Sequence, residues 1–182
     1  DAAAIGCVSI KPSSRINLSA LYRNYSVKYD SFFGNAFREG SGVRNESGFY
    51  SALEWYPLKY FRLNAYVDIF EFPWLTYTVN SPSSGHEYAA QIIWNNRRDS
   101  EISLRIKFKN TDSNISGETG HLTSIAESKK EQYRLKYRYN RKSWIFCTTF
   151  DINQYKMGIQ KSTLGMALSQ TLSYKPANKK VS

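Results

Sequence analysis

No stretch of the chain approaches the roughly 18 consecutive apolar residues that a transmembrane helix needs, and the mean hydropathy is −0.53. That excludes a helical membrane protein. It leaves a membrane barrel open, because barrel strands alternate and average out polar. Cysteine is scarce, with only Cys7 and Cys147 in 182 residues. The two stand far apart and form no disulfide framework, so they read as buried or lumen-facing thiols. Histidine is equally scarce, and neither His86 nor His121 has a Cys, His or carboxylate at metal-ligand spacing. No nucleophile elbow is present, nor a phosphate-binding glycine loop leading into a helix. The expectation is a non-enzyme with no cofactor and no metal. The chain opens on DAAAIGCVSI, which reads as a strand rather than as a signal peptide. A mature or excised segment is expected, with a polar tail from Lys175 to Ser182 that leads on to further strands.

What is present begins with aromatics, at 15% of residues including 14 Tyr and 4 Trp. The stretch Ser47 to Phe72 reads as one long β-hairpin turning at Tyr56 to Tyr60. On its second arm Phe61, Leu63, Ala65, Val67 and Ile69 share one face, and Arg62, Asn64, Tyr66 and Asp68 share the other. Aromatics crowd both ends. A strand of about ten residues with one apolar face, one polar face and aromatic ends has the dimensions of an outer-membrane barrel strand.

The remaining chain repeats this unit. Strands are expected over Ala3–Ile10, Arg15–Asn24, the two arms of the hairpin, Glu87–Asn95, Glu101–Lys109, Gln132–Tyr139, a run from Trp144 to Ile152, and a last run from Leu164 to Tyr174. Long polar loops are expected over Tyr25–Glu46, Pro73–His86 and Asn110–Lys130, the last of them mobile. Short basic turns alternate with these long loops, about forty residues apart. That cadence predicts an all-β, antiparallel up-and-down meander of about 8–10 strands, one domain over 1–182, forming all or part of a transmembrane β-barrel.

Two orientations compete. In a soluble barrel or sandwich the apolar stripes would fill the interior, and the protein would bind an apolar ligand inside or a polyanion outside. In a membrane barrel the stripes meet lipid. Apolar stripes of full strand length favour the membrane. So does a ring of Trp55, Tyr60, Trp94, Tyr139, Trp144 and Tyr174 near the short turns, as does a last strand backed by Gly, Ala, Ser and Thr. A net charge of +10 with pI near 9.6 points to polyanions or anionic headgroups. Much of that charge sits in the short turns at Lys11, Arg15, Lys59, Arg97, Arg98, Arg141, Lys142, Lys175, Lys179 and Lys180, beside the aromatic ring and facing headgroups or water.

Two clusters are candidate sites. Arg62, Arg105, Lys107, Arg134, Lys136 and Arg138 form a basic cluster on the polar face, with Glu54, Asp68, Glu87 and Asp151 as counter-ions. It reads either as an electropositive lumen for an anionic solute or polyanion, or as an interior cross-linked by ion pairs that does not conduct. The loop residues Arg38, Arg44, Asn45, Glu46 and Trp74 form the second cluster, which reads as a binding rim, a folded-in plug or loop packing alone.

The segment Phe37 to Tyr88 also resembles a known group. FREGS at Phe37–Ser41, NE-x-G-x-Y at Asn45–Tyr50, Y-x-D-x-F-x-FPW at Tyr66–Trp74 and P-S-x-G at Pro82–Gly85 are similar to the carboxy-terminal β-barrel region of large Bacteroidetes helix-hairpin-helix domain proteins. The resemblance implies a location in the outer membrane of a Gram-negative bacterium, outer-membrane lipid as a partner, and a barrel with further strands or domains in a longer chain. The family's helix-hairpin-helix motifs lie outside this sequence. The expected work is solute passage, binding or anchoring in a porin-like wall.

Overall fold

Side-chain alternation over runs of ten or more residues, punctuated by short turns, builds a sheet whose neighbours in sequence are neighbours in space. The computed structural model describes residues 2–29, 35–96, 99–115 and 124–175. Its strands are β1 (Ala3–Ser13), β2 (Ile16–Tyr25), β3 (Glu46–Trp55), β4 (Phe61–Phe72), β5 (Ser83–Asn96), β6 (Ser100–Ile115), β7 (Ser124–Arg141), β8 (Trp144–Met157) and β9 (Thr163–Tyr174). They form one antiparallel sheet in the order β1 to β9. The expected all-β meander is therefore the fold. Among the described residues its two end strands, β1 and β9, are each paired along one side only.

Register assigns every residue to a face. One face carries Phe61, Leu63, Ile102, Leu104, Leu135 and Phe150, in register across four ladders. This face is open: Phe61 is 37% exposed, Ile102 38% and Leu104 44%. The opposite face holds Arg23, Glu46, Asp68 and Glu87, all buried. The apolar stripes thus do not converge on a common dry centre. We call the apolar face outer and the polar face inner.

The outer band runs obliquely across the sheet. Antiparallel ladders lie perpendicular to the strands, and the ladder row through Trp55 passes through Leu63, Ile92, Leu104, Leu135 and Phe150. Trp94 stands two residues nearer the short turns than Ile92, and Trp144 stands six residues nearer than Phe150. At about 3.3 Å per residue and about 4.8 Å per strand, that drift makes an angle of roughly 35–40°. Closed barrels tilt their strands by about the same amount.

Several sequence expectations need correction. The third loop is mostly strand, with β6 continuing to Ile115 and β7 starting at Ser124. Residues 110–115 pair with 124–129. The outer face there changes from apolar to polar, with Asn110 and Asp112 on β6 against Lys129 and Glu127 on β7. The hydrophobic alternation that marks a strand in the band is lost beyond it. Pro12 lies within β1, where the register shifts between Ile10 and Ser13. β5 begins at Ser83 rather than after His86. Arg97, Arg98, His121, Lys179 and Lys180 lie outside the described residues.

Candidate functional site

The site is an ion-pair network on the inner face at its loop end. Arg23, near the end of β2, is fully buried and faces Gly48 across the β2–β3 ladder. A Cβ on Gly48 would stand 2.5 Å from the Arg23 Cζ, so only glycine leaves room for the guanidinium to lie flat on β3. From that position Nε donates to Glu46 Oε1 at 2.6 Å, and Nη1 donates to Asp68 Oδ1 at 2.8 Å. The same arrangement recurs two strands on. The Phe70 ring covers Gly85, where a Cβ would come within 2.6 Å of it. Alternating large side chains with glycine along one ladder row packs a crowded interior without displacing the backbone.

Asp68 and Glu87 stand directly opposite one another on β4 and β5. Two carboxylates in that position repel, and each is held by its own cations. Asp68 takes Arg23, whereas Glu87 takes Lys107 at 2.7 Å and Lys109 at 3.5 Å. The Tyr66 hydroxyl also donates to Glu87. Lys109 pairs in addition with Glu39, which belongs to the β2–β3 loop.

That last contact shows where the loop goes. Glu39 and Gly40 donate their backbone N–H groups to the Glu46 carboxylate at 2.8–3.0 Å. Phe37 packs edge-on against Tyr50 with its centroid 5.1 Å away, and the Arg23 guanidinium also lies 5.1 Å from the ring. Tyr25 Oη donates to the Phe37 carbonyl at 2.9 Å. Segment 37–40 therefore lies seated against the inner face from β2 to β6.

Asn45 locks this loop to the next one. It adopts φ +53°, a left-handed conformation that Asn tolerates. Its Nδ2 donates to the Trp74 and Leu75 carbonyls at 2.9 and 3.2 Å, and its Oδ1 accepts from Trp74 N at 2.8 Å. Between the two loops is a cavity of about 610 Å³, lined in part by Phe70, Phe72, Trp74, Val79, Ser83 and Arg44. The Ser83 hydroxyl is buried there without a hydrogen-bond partner among the described residues.

The two expected clusters can now be placed. Arg62, Arg105, Lys107, Arg134, Lys136 and Arg138 all project from the inner face, by register. The four expected counter-ions each hold a cation. Asp68 and Glu87 pair as described, Asp151 accepts from Arg134 at 2.6 and 3.1 Å, and Glu54 lies 3.9 Å from Arg62. The cluster is nonetheless not one buried patch, since the Arg134 and Arg62 side chains are 51% and 43% exposed. No carboxylate pairs with Arg105, Lys136 or Arg138 among the described residues. Arg105 stands directly opposite Arg134.

In the loop cluster, Arg44 and Trp74 are exposed and Arg38 is half-buried. Two members are misplaced as rim. Glu46 is the first residue of β3 and is fully buried as the partner of Arg23, and Asn45 is the buried latch. Arg23 and Lys109, which hold the network together, were not singled out by the sequence pattern. Their signal was their place on the polar face at the level of Asp68 and Glu87, which only strand register reveals.

The site has paired charges, a seated loop and a cationic excess on β6 and β7. It has no group of His, Cys, Asp and Glu suited to a metal among the described residues. Compared with known proteins, the chain matches no family model, no curated protein and no solved structure.

Proposed function

We propose that the chain is a length of outer-membrane β-barrel wall in a Gram-negative bacterium, of the kind its Phe37–Tyr88 motifs resemble. The observation that carries this reading is the inversion of its two faces. Leu104 and its outer neighbours are exposed while Arg23, Glu46 and Asp68 are buried. A water-soluble protein gains stability by the opposite arrangement. A contiguous apolar band across nine strands far exceeds the patches that soluble monomers tolerate, and hydrocarbon is its natural solvent. The oblique run of the band, close to barrel strand tilt, supports the same reading.

The work of such a wall is passage, binding or anchoring, without chemistry of its own. The ion-paired plug supports a lumen closed at the loop end beneath β2 to β6. Arg105, Lys136 and Arg138, with which no carboxylate pairs among the described residues, line the portion toward the turns, where an anionic solute or polyanion is favoured. The test is partition. The chain is expected to need detergent to stay dispersed and to float with phospholipid vesicles on a density gradient. A protein that stays monomeric in plain buffer and remains at the bottom of the gradient defeats the proposal. In planar bilayers holding the complete barrel, Glu39→Gln combined with Lys109→Gln is expected to raise anion conductance by unseating the loop.

A further inference from the structure

The free sides of β1 and β9 present backbone N–H and C=O groups with no sheet partner among the described residues. β1 is exposed along its whole length, and β9 is exposed at every position but Ser173. Edges that face water are usually blunted by Lys, Pro, brevity or a bulge, because a bare edge invites pairing. β9 has twelve residues with no charge and no proline. On β1 the sole charge and sole proline are Lys11 and Pro12, both next to the turn and at its register shift. Over most of their length these edges carry no such protection. Within hydrocarbon an unpaired edge is costlier still, since nothing else there can take its hydrogen bonds.

Direction decides what can complete them. Every neighbouring pair from β1 to β9 is antiparallel, so β1 and β9 run the same way. Joining them directly would make a parallel junction in an otherwise antiparallel sheet. A second copy inserted with the same orientation does no better, because its β1 would also run parallel to β9. An even number of intervening strands leaves the same mismatch. Only an odd number continues the antiparallel order past both edges.

We propose that the free edges of β1 and β9 accept an odd number of further amphipathic strands, each about ten to twelve residues long, running antiparallel to both and supplied by polypeptide outside these 182 residues. The proposal rests on the membrane-wall reading, and its test is run in detergent micelles so that the two can fail separately. Cys7 lies on the inner face of β1, so a Cys147→Ser background gives one reporter there. Gly165→Cys, Ala167→Cys, Ser169→Cys and Thr171→Cys add a second reporter, singly, on the inner face of β9. Each full-length variant is oxidised and scored for intramolecular and intermolecular disulfides. Amide hydrogen exchange is followed by mass spectrometry on the same samples.

The expected result is no disulfide of either kind, with β1 and β9 amides exchanging at least about tenfold faster than those of β4 and β5. An intramolecular disulfide would mean that the chain closes on itself, and an intermolecular one that copies pair. Either overturns the proposal, as does edge protection equal to that of β4 and β5 with no disulfide. A chain that needs no detergent defeats the membrane reading instead.

Discussion

Gly48 and Arg23 face each other across β3 and β2, and the guanidinium occupies the space a methyl group would need. Gly48→Ala is therefore expected to destabilise the protein by about 1–3 kcal/mol, the usual cost of overpacking, as read from urea unfolding in micelles. Arg23 itself compensates two buried carboxylates. Arg23→Met strands both charges, and removing one partner of a buried pair costs on the order of 3–5 kcal/mol. Arg23→Met combined with Glu46→Gln and Asp68→Asn is expected to recover most of that loss. A triple variant no more stable than the single one would show that packing, rather than charge, is what Arg23 supplies. Sequence reading identified Glu54, Asp68, Glu87 and Asp151 as counter-ions because acids are rare on the polar faces. It missed Arg23 as a partner, since Glu46 and Asp68 lie 23 and 45 residues away. Only ladder register makes them neighbours.

At the scale of the element, period-2 alternation located all nine strands, because each crosses a band with one apolar side. The same signal misled where strands leave that band. On β6 the pattern of Ile102, Leu104, Ile106 and Phe108 gives way to Asn110 and Asp112, and the chain there reads as loop although the ladder continues. The β2–β3 loop was legible as a loop, but the choice between rim and seated segment was not, since its seating depends on Lys109 and on the Glu46 carboxylate. Position within the band makes one further prediction. Leu104→Arg places a cation on the outer face near mid-band and is expected to cost about 2–4 kcal/mol in lipid. Arg105→Gln, one residue along on the inner face and with no carboxylate partner among the described residues, is expected to change stability by less than about 0.5 kcal/mol. Equal effects from the two substitutions would contradict the assignment of faces.

For the whole molecule, the slope of the outer band makes a prediction about depth. Trp55, Trp94 and Trp144 lie along one oblique line, and Trp74 sits in a loop beyond the sheet. In vesicles containing lipids brominated near the headgroup, single-tryptophan variants at the first three positions are expected to be quenched to the same extent. Upright strands would instead separate Trp55 from Trp144 by roughly 20 Å in depth, and unequal quenching would show it. The same slope also sets a gauge for the ring that the proposed barrel would form. A strand inclined at about 35–40° takes up roughly 6 Å of circumference, so ten strands enclose a backbone cylinder about 19 Å across and each further pair widens it by about 4 Å. A single added strand would leave a bore that the Arg23 network and its seated loop already obstruct. Five would open a watery passage alongside them, so in the proposed barrel the tally of added staves decides between a sealed post and a conduit.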